Sequence, residues 1–187
     1  MRRIIIMLTI VFFAQALFGQ ESKFKVHAIS LDLNLTAMTK KTLNAGMDGT
    51  NYNAAFILSY LKNRISLNYL SGDSNGLFDV FPGVIKNYSE FSLLIGREFI
   101  NYKHLSIEIY GGLGKYKETI YRKHTPYPPV PKKQTFSSYS VPMVLKVDYI
   151  FNNNFTLGLN AGHHVNKINS FGTYGLSLGY HFQNSSH

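Results

Sequence analysis

Two adjacent imidazoles, His163 and His164, are followed by Val165, Asn166, Asn169 and Ser170, residue types that belong to ester hydrolysis. In that chemistry a histidine takes the proton of a serine hydroxyl while a third group orients the base. His163, Asn166 and Ser170 are therefore the hydrolase candidates. No carboxylate lies between Asp148 and the C-terminus to play the orienting part. Neighbouring residues of an extended strand point to opposite faces, so the two histidines do not make a metal pair. The chain has no cysteine, no Gly-rich phosphate loop followed by Lys and Ser/Thr, and no strand-turn-helix nucleophile motif, so no metal or cofactor is expected.

Charged residues form two further sets. Asp32, Arg64, Glu98, Glu108, Lys146 and Asp148 occur one or two at a time inside apolar, alternating segments, where opposite charges would need one another. A second set is dense and basic: between Lys115 and Lys133, the cations Lys115, Lys117, Arg122, Lys123, Lys132 and Lys133 face only Glu118. Such a stretch suits an anionic surface.

The elements that must position these residues are strands, because apolar residues recur at every second position over runs of roughly 8 to 12 residues. Eight runs are expected: Phe24 to Thr36, Tyr52 to Leu61, Arg64 to Leu70, Phe91 to Phe99, Leu105 to Tyr116, Tyr139 to Phe151, Phe155 to Val165 and Phe171 to Phe182. Lys62 and Asn63, the turn around Asn101 and Tyr102, and Asn152 to Asn154 make short connections. Ala37 to Thr50, Ser71 to Tyr88 and Lys117 to Ser138 are expected as long loops, the last stiffened by four prolines from Pro126 to Pro131. Pro142 is placed at the outer end of the sixth strand.

Alternation alone also suits a soluble barrel, so the buried side must be argued. Opposite the leucines stand Gly158, Gly162, Gly175, Gly179, Ser66, Ser92, Ser106, Ser177, Asn68 and Asn160, one of Gly111 and Gly112, and the single charges above. These cannot form an apolar core, whereas leucines facing lipid would leave them to fill a narrow lumen. Aromatic residues gather at both strand ends, Phe99, Tyr102, Tyr149, Phe151, Phe155, Tyr180 and Phe182 at the short-turn end and Tyr52, Tyr69, Phe91, Tyr116, Tyr139, Phe171 and Tyr174 at the other, as interfacial girdles do.

The N-terminus sets the compartment. Arg2 and Arg3 precede an apolar run from Ile4 to Phe13 and a small-residue region ending at Gly19, the plan of a signal peptide. Residues 1–19 are read as that signal and 20–187 as one barrel domain. The net charge is +9, and +7 once Arg2 and Arg3 are removed.

The whole mature pattern resembles the eight-stranded outer-membrane barrels of Gram-negative bacteria, the class of the outer membrane protein A transmembrane domain. That resemblance implies an antiparallel up-and-down transmembrane β-barrel with both termini in the periplasm. Leu178, Gly179, Tyr180, His181 and Phe182 are similar to the terminal-strand motif read by the barrel-assembly machinery, although five residues follow Phe182. The segment from His163 also resembles the lipid A deacylase barrels, in which a histidine, one residue, a serine and an asparagine end the seventh strand. Here Val165 stands at the serine position, and a valine forms no acyl-enzyme.

Eight strands enclose only room for side chains, so the lumen is expected to be plugged. The reading is a non-enzymatic outer-membrane protein acting through surface loops in envelope integrity, adhesion or lipopolysaccharide contact. Its expected partners are outer-membrane lipid, lipopolysaccharide and the assembly machinery, with no nucleic acid and no signal for an oligomeric state. The alternatives are a lipid A modifying acyl-ester hydrolase and a soluble lipocalin-like binder of apolar ligands.

Overall fold

The computed structural model describes residues 24–38, 48–60, 63–73, 84–102, 104–122 and 133–182. Eight strands follow one another: β1 (Phe24–Met38), β2 (Asp48–Tyr60), β3 (Asn63–Asp73), β4 (Val84–Tyr102), β5 (Leu105–Arg122), β6 (Lys133–Ile150), β7 (Phe155–Asn166) and β8 (Phe171–His181). Each pairs antiparallel with the next, and β1 pairs with β8, so the sheet closes on itself and has no free edge.

The period-two pattern converts directly into an inverted barrel. Along β1, Leu31, Leu33 and Leu35 are exposed on the outer wall, while Asp32, Asn34 and Thr36 are buried inside. The same alternation runs through β7, where Leu157 and Leu159 face out and Thr156 and Asn160 face in. Leu33 pairs with Leu176, and Leu176 with Leu159, so leucines meet across strands and form a continuous belt. A leucine such as Leu33, 58% exposed, has no protein to cover it.

Three expectations are corrected. First, β4, β5 and β6 are 19, 18 and 18 residues long, and strand takes over parts of the expected loops at 71–73, 84–88, 117–122 and 133–138. The ladder continues through Tyr88↔Glu118 and Thr119↔Thr135 because alternation persists there with Thr, Ser, Lys and Glu in place of leucine. Lys117, Arg122 and Lys133 are thus strand residues. Lys123, Lys132 and the expected signal segment 1–19 lie outside the described residues.

Second, Pro142 sits well inside β6 with its ring fully buried. The β5–β6 pairing lapses between Gly111↔Met143 and Gly114↔Ser140 and then resumes in the same register, as a missing N–H demands. Third, Tyr116 and Phe171 do not belong to the outer aromatic girdle. Both are 0% exposed and point into the lumen, because they fall on its parity.

Local chemistry fixes the ends. At the β6–β7 turn, Phe151 N–H donates to Phe155 O and Asn154 N–H to Phe151 O, with Asn154 at φ 66°, the left-handed region that asparagine tolerates. In β4 the register shifts between Glu98 and Ile100, so Phe99 and Ile100 both face outward while Glu98 still reaches inward. Glycine is required where walls meet closely: a Cβ on Gly175 would lie 1.9 Å from the Leu33 carbonyl oxygen. Gly175→Val should therefore cost about 1–3 kcal/mol through forced displacement of β1, read as a lower urea midpoint of unfolding.

Candidate functional site

The interior is the polar face of the sheet rolled inward, and it has three levels. At the short-turn end lies an ionic network. Arg64 Nη2 is 2.6 Å from Glu98 Oε2 and Arg64 Nε 3.4 Å from Glu108 Oε1, while Tyr110 Oη donates to Glu108 Oε2 at 2.5 Å. Lys146 Nζ is 3.1 Å from Asp32 Oδ1 and donates to Ser30 Oγ at 2.8 Å. Asp32 also accepts from Ser177 Oγ at 2.7 Å and Asn53 Nδ2 at 2.8 Å. The structure therefore brings together five of the six residues singled out for the lumen, Asp32, Arg64, Glu98, Glu108 and Lys146. Asp148 is buried beside Lys146 on the same face, its Oδ1 lying over Gly158 and lacking a hydrogen-bond partner.

The middle level is a small cavity lined by asparagines, Asp32, Glu90 and His164. Above it lies an aromatic stopper, Leu70, Tyr88, Tyr116 and Phe171. Polar groups thread through this stopper. His164 stacks on Phe171 with ring centroids 4.5 Å apart and 4° between planes, and its Nδ1 is 2.9 Å from Glu90 Oε1. Glu118, 0% exposed, accepts from Tyr116 Oη and Asn169 Nδ2, with Lys86 Nζ 4.0 Å from its other oxygen.

Sequence reasoning misses Glu90, Glu118 and Lys86 as lumenal groups, because apolar alternation ends before β4 and β5 do. The signal was there: Lys86, Tyr88 and Glu90 share the parity of Ser92, and Glu118 that of Tyr116. Counting them, the described residues place six carboxylates inside, Asp32, Glu90, Glu98, Glu108, Glu118 and Asp148, against Arg64, Lys86 and Lys146.

The hydrolase candidates are dispersed. His163 is exposed on the outer wall, as is Val165, while Asn166 is buried inside, so they occupy opposite faces of β7. The side chain of Asn166 is used by the β7–β8 turn: its Oδ1 accepts from Ile168 N–H and Asn169 N–H, and its Nδ2 donates to Asn169 O. Ser170 is half-buried just before β8.

Outside, the belt is bounded by two aromatic rims. Tyr149, Phe151, Phe155 and Phe99 stand exposed at one end, and Tyr52, Tyr69, Phe91, Tyr139 and Tyr174 at the other. An apolar outer band between aromatic girdles, wrapped around a polar interior, is what lipid selects. The protein is an eight-stranded transmembrane β-barrel.

Solved structures share this fold. Neisserial surface protein A is 11% identical with a TM-score of 0.67, covering 86% of this chain and 98% of its own. The attachment invasion locus protein Ail of Yersinia pestis is 13% identical with a TM-score of 0.61, covering 84% and 99%. The N-terminal β-barrel domain of Pseudomonas aeruginosa OprF is 13% identical with a TM-score of 0.54, covering 84% and 98%. This is the fold of the small outer-membrane barrels. No family model matches the chain, and no curated protein is similar to it in sequence.

With that fold the expectation of a soluble, lipocalin-like binder falls, since such a cavity needs the leucines inside. The barrel instead buries asparagine, serine and charge there.

Proposed function

We propose that the barrel sits in the outer membrane of a Gram-negative envelope, follows a cleaved signal at residues 1–19, keeps both termini in the periplasm and carries out no reaction of its own. Its outer rim binds the phosphates of lipopolysaccharide, in support of envelope integrity or adhesion. One observation carries this reading. Lys115, paired across strands with Phe91 and Tyr139, stands exposed within the aromatic rim, and Lys117 and Lys133 stand exposed beyond it. Lys133 lies over the Tyr121 ring at 5.5 Å. Ammonium groups just outside an aromatic girdle are at headgroup depth, where each contributes about 1 kcal/mol toward an anionic surface. Arg122, Lys123 and Lys132 extend the same basic stretch in sequence.

The test is replacement of Lys115, Lys117 and Lys133 by serine, with co-sedimentation on purified lipopolysaccharide as the readout. Binding should weaken by at least tenfold at low salt while wild-type binding falls as salt rises; unchanged binding would remove the reading. Lipid A from cells with and without the protein should have identical acyl masses. A lost acyl chain would instead favour the hydrolase alternative at His163, Asn166 and Ser170.

A further inference from the structure

The cavity at the middle level of the lumen has an unusual lining. It measures about 20 Å³, room for one occupant of water size. Three side-chain oxygens of residues lining it, Glu90 Oε2, Asn53 Oδ1 and Asn34 Oδ1, are buried without a hydrogen-bond partner. Their residues are 1%, 9% and 6% exposed. The unsatisfied atoms are acceptors in three places and a donor in one, Asn160 Nδ2. Buried acceptors without a donor are costly, more so when one belongs to a carboxylate whose other oxygen is already committed to His164.

The charge balance points the same way. Inward-facing carboxylates outnumber inward-facing Lys and Arg by three among the described residues, and the imidazoles of His164 and His27 stand beside only two of them, Glu90 and Glu108. A water in the cavity would satisfy hydrogen bonds without reducing that excess, whereas a monovalent cation reduces it by one.

We propose that this cavity is a binding site for one monovalent cation of the size of sodium or potassium, held by Glu90 Oε2 and the amide oxygens of Asn53 and Asn34. A divalent ion is disfavoured, since calcium takes six to eight oxygens with several carboxylates among them, and only one free carboxylate oxygen is offered here. The described residues likewise hold no cluster of three His, Cys, Asp or Glu side chains fit for a transition metal. The Asn160 amide, turned by half a turn, adds its oxygen to the ion's shell in place of the unsatisfied Nδ2.

The experiment uses the protein extracted from membranes in detergent. Its thermal unfolding midpoint is compared in sodium, potassium and N-methylglucamine chloride at equal ionic strength. N-methylglucamine is too large for the cavity, so the midpoint should be higher in sodium or potassium and climb with concentration of the ion as binding to the folded state requires. In Glu90→Gln the three salts should give one midpoint. Equal midpoints for the wild type would overturn the proposal and leave a water in the cavity. A sodium or potassium effect that survives in Glu90→Gln would also overturn it, by placing the ion elsewhere. If that variant does not fold, thallium(I) in wild-type crystals decides: an anomalous peak beside Glu90 and Asn53 is expected, and its absence contradicts the site.

Discussion

Leu176→Arg is expected to lower the unfolding free energy by about 2–4 kcal/mol, the cost of a guanidinium held near the middle of a bilayer on the outer wall of a barrel. Leu176 is 55% exposed and flanked by Leu33 and Leu159 on the adjoining strands. A position that open on a water-soluble protein would accept arginine within roughly 0.5 kcal/mol. The substitution therefore discriminates between lipid and water with little dependence on packing. Equilibrium unfolding in urea from lipid vesicles measures it, with Leu176→Ala as the control for lost apolar contact.

Arg64→Met is expected to cost about 3–5 kcal/mol, because it takes the guanidinium from two buried carboxylates and leaves Glu108 to the His27 imidazole at 3.5 Å. Arg64 is the ion-pair partner of both Glu98 and Glu108, and Glu108 is 3% exposed. Most of that loss is the penalty of the orphaned charges and little is the worth of the pairs. Adding Glu98→Gln and Glu108→Gln to Arg64→Met should therefore recover most of the stability. Failure of the triple variant to recover would mean that the guanidinium acts through packing against β4 and β5 instead of through charge.

The strand count, the order of short and long connections and the inversion of the two faces were legible because each follows from period two and from what Gly, Ser and Asn cannot do in a core. The strand ends were less so. Hydrophobic alternation stops where the lipid stops, yet pairing does not, and β4, β5 and β6 run on with Thr119, Thr135 and Ser137 outside and Tyr88 and Glu118 inside. That polar continuation reads as loop to any rule that weighs hydrophobicity. It concealed Lys86, Glu90 and Glu118, and with them two of the six lumenal acids.

Parity did better than chemistry at the β7–β8 junction. Phe155, Leu157, Leu159 and Ala161 place His163 on the lipid side and His164 inside, and both are so placed. Residue types suggested a base, a nucleophile and an orienting amide. The turn instead takes up Asn166 through three backbone contacts, and the inward histidine goes to Glu90 and Phe171. Neither partner is near in sequence, so only closure of the barrel brings them to His164. Tyr116 and Phe171 illustrate the same point, since an aromatic near a strand end belongs to the rim or the lumen according to one residue of register.

The central claim is that the leucine face meets lipid and the asparagine and serine face meets the lumen. The chain has no native cysteine, so single cysteines can be introduced at Leu33, Leu159 and Leu176 on one face and at Ala55, Ser66 and Ser177 on the other, spin-labelled, and the protein placed in bilayers. Collision rates with oxygen, which concentrates in acyl chains, and with a water-soluble nickel chelate then report what each label touches. High oxygen and low nickel collision at the three leucine positions, with low oxygen collision at the other three, is the predicted result. Free access of the nickel chelate to the leucine positions would contradict it.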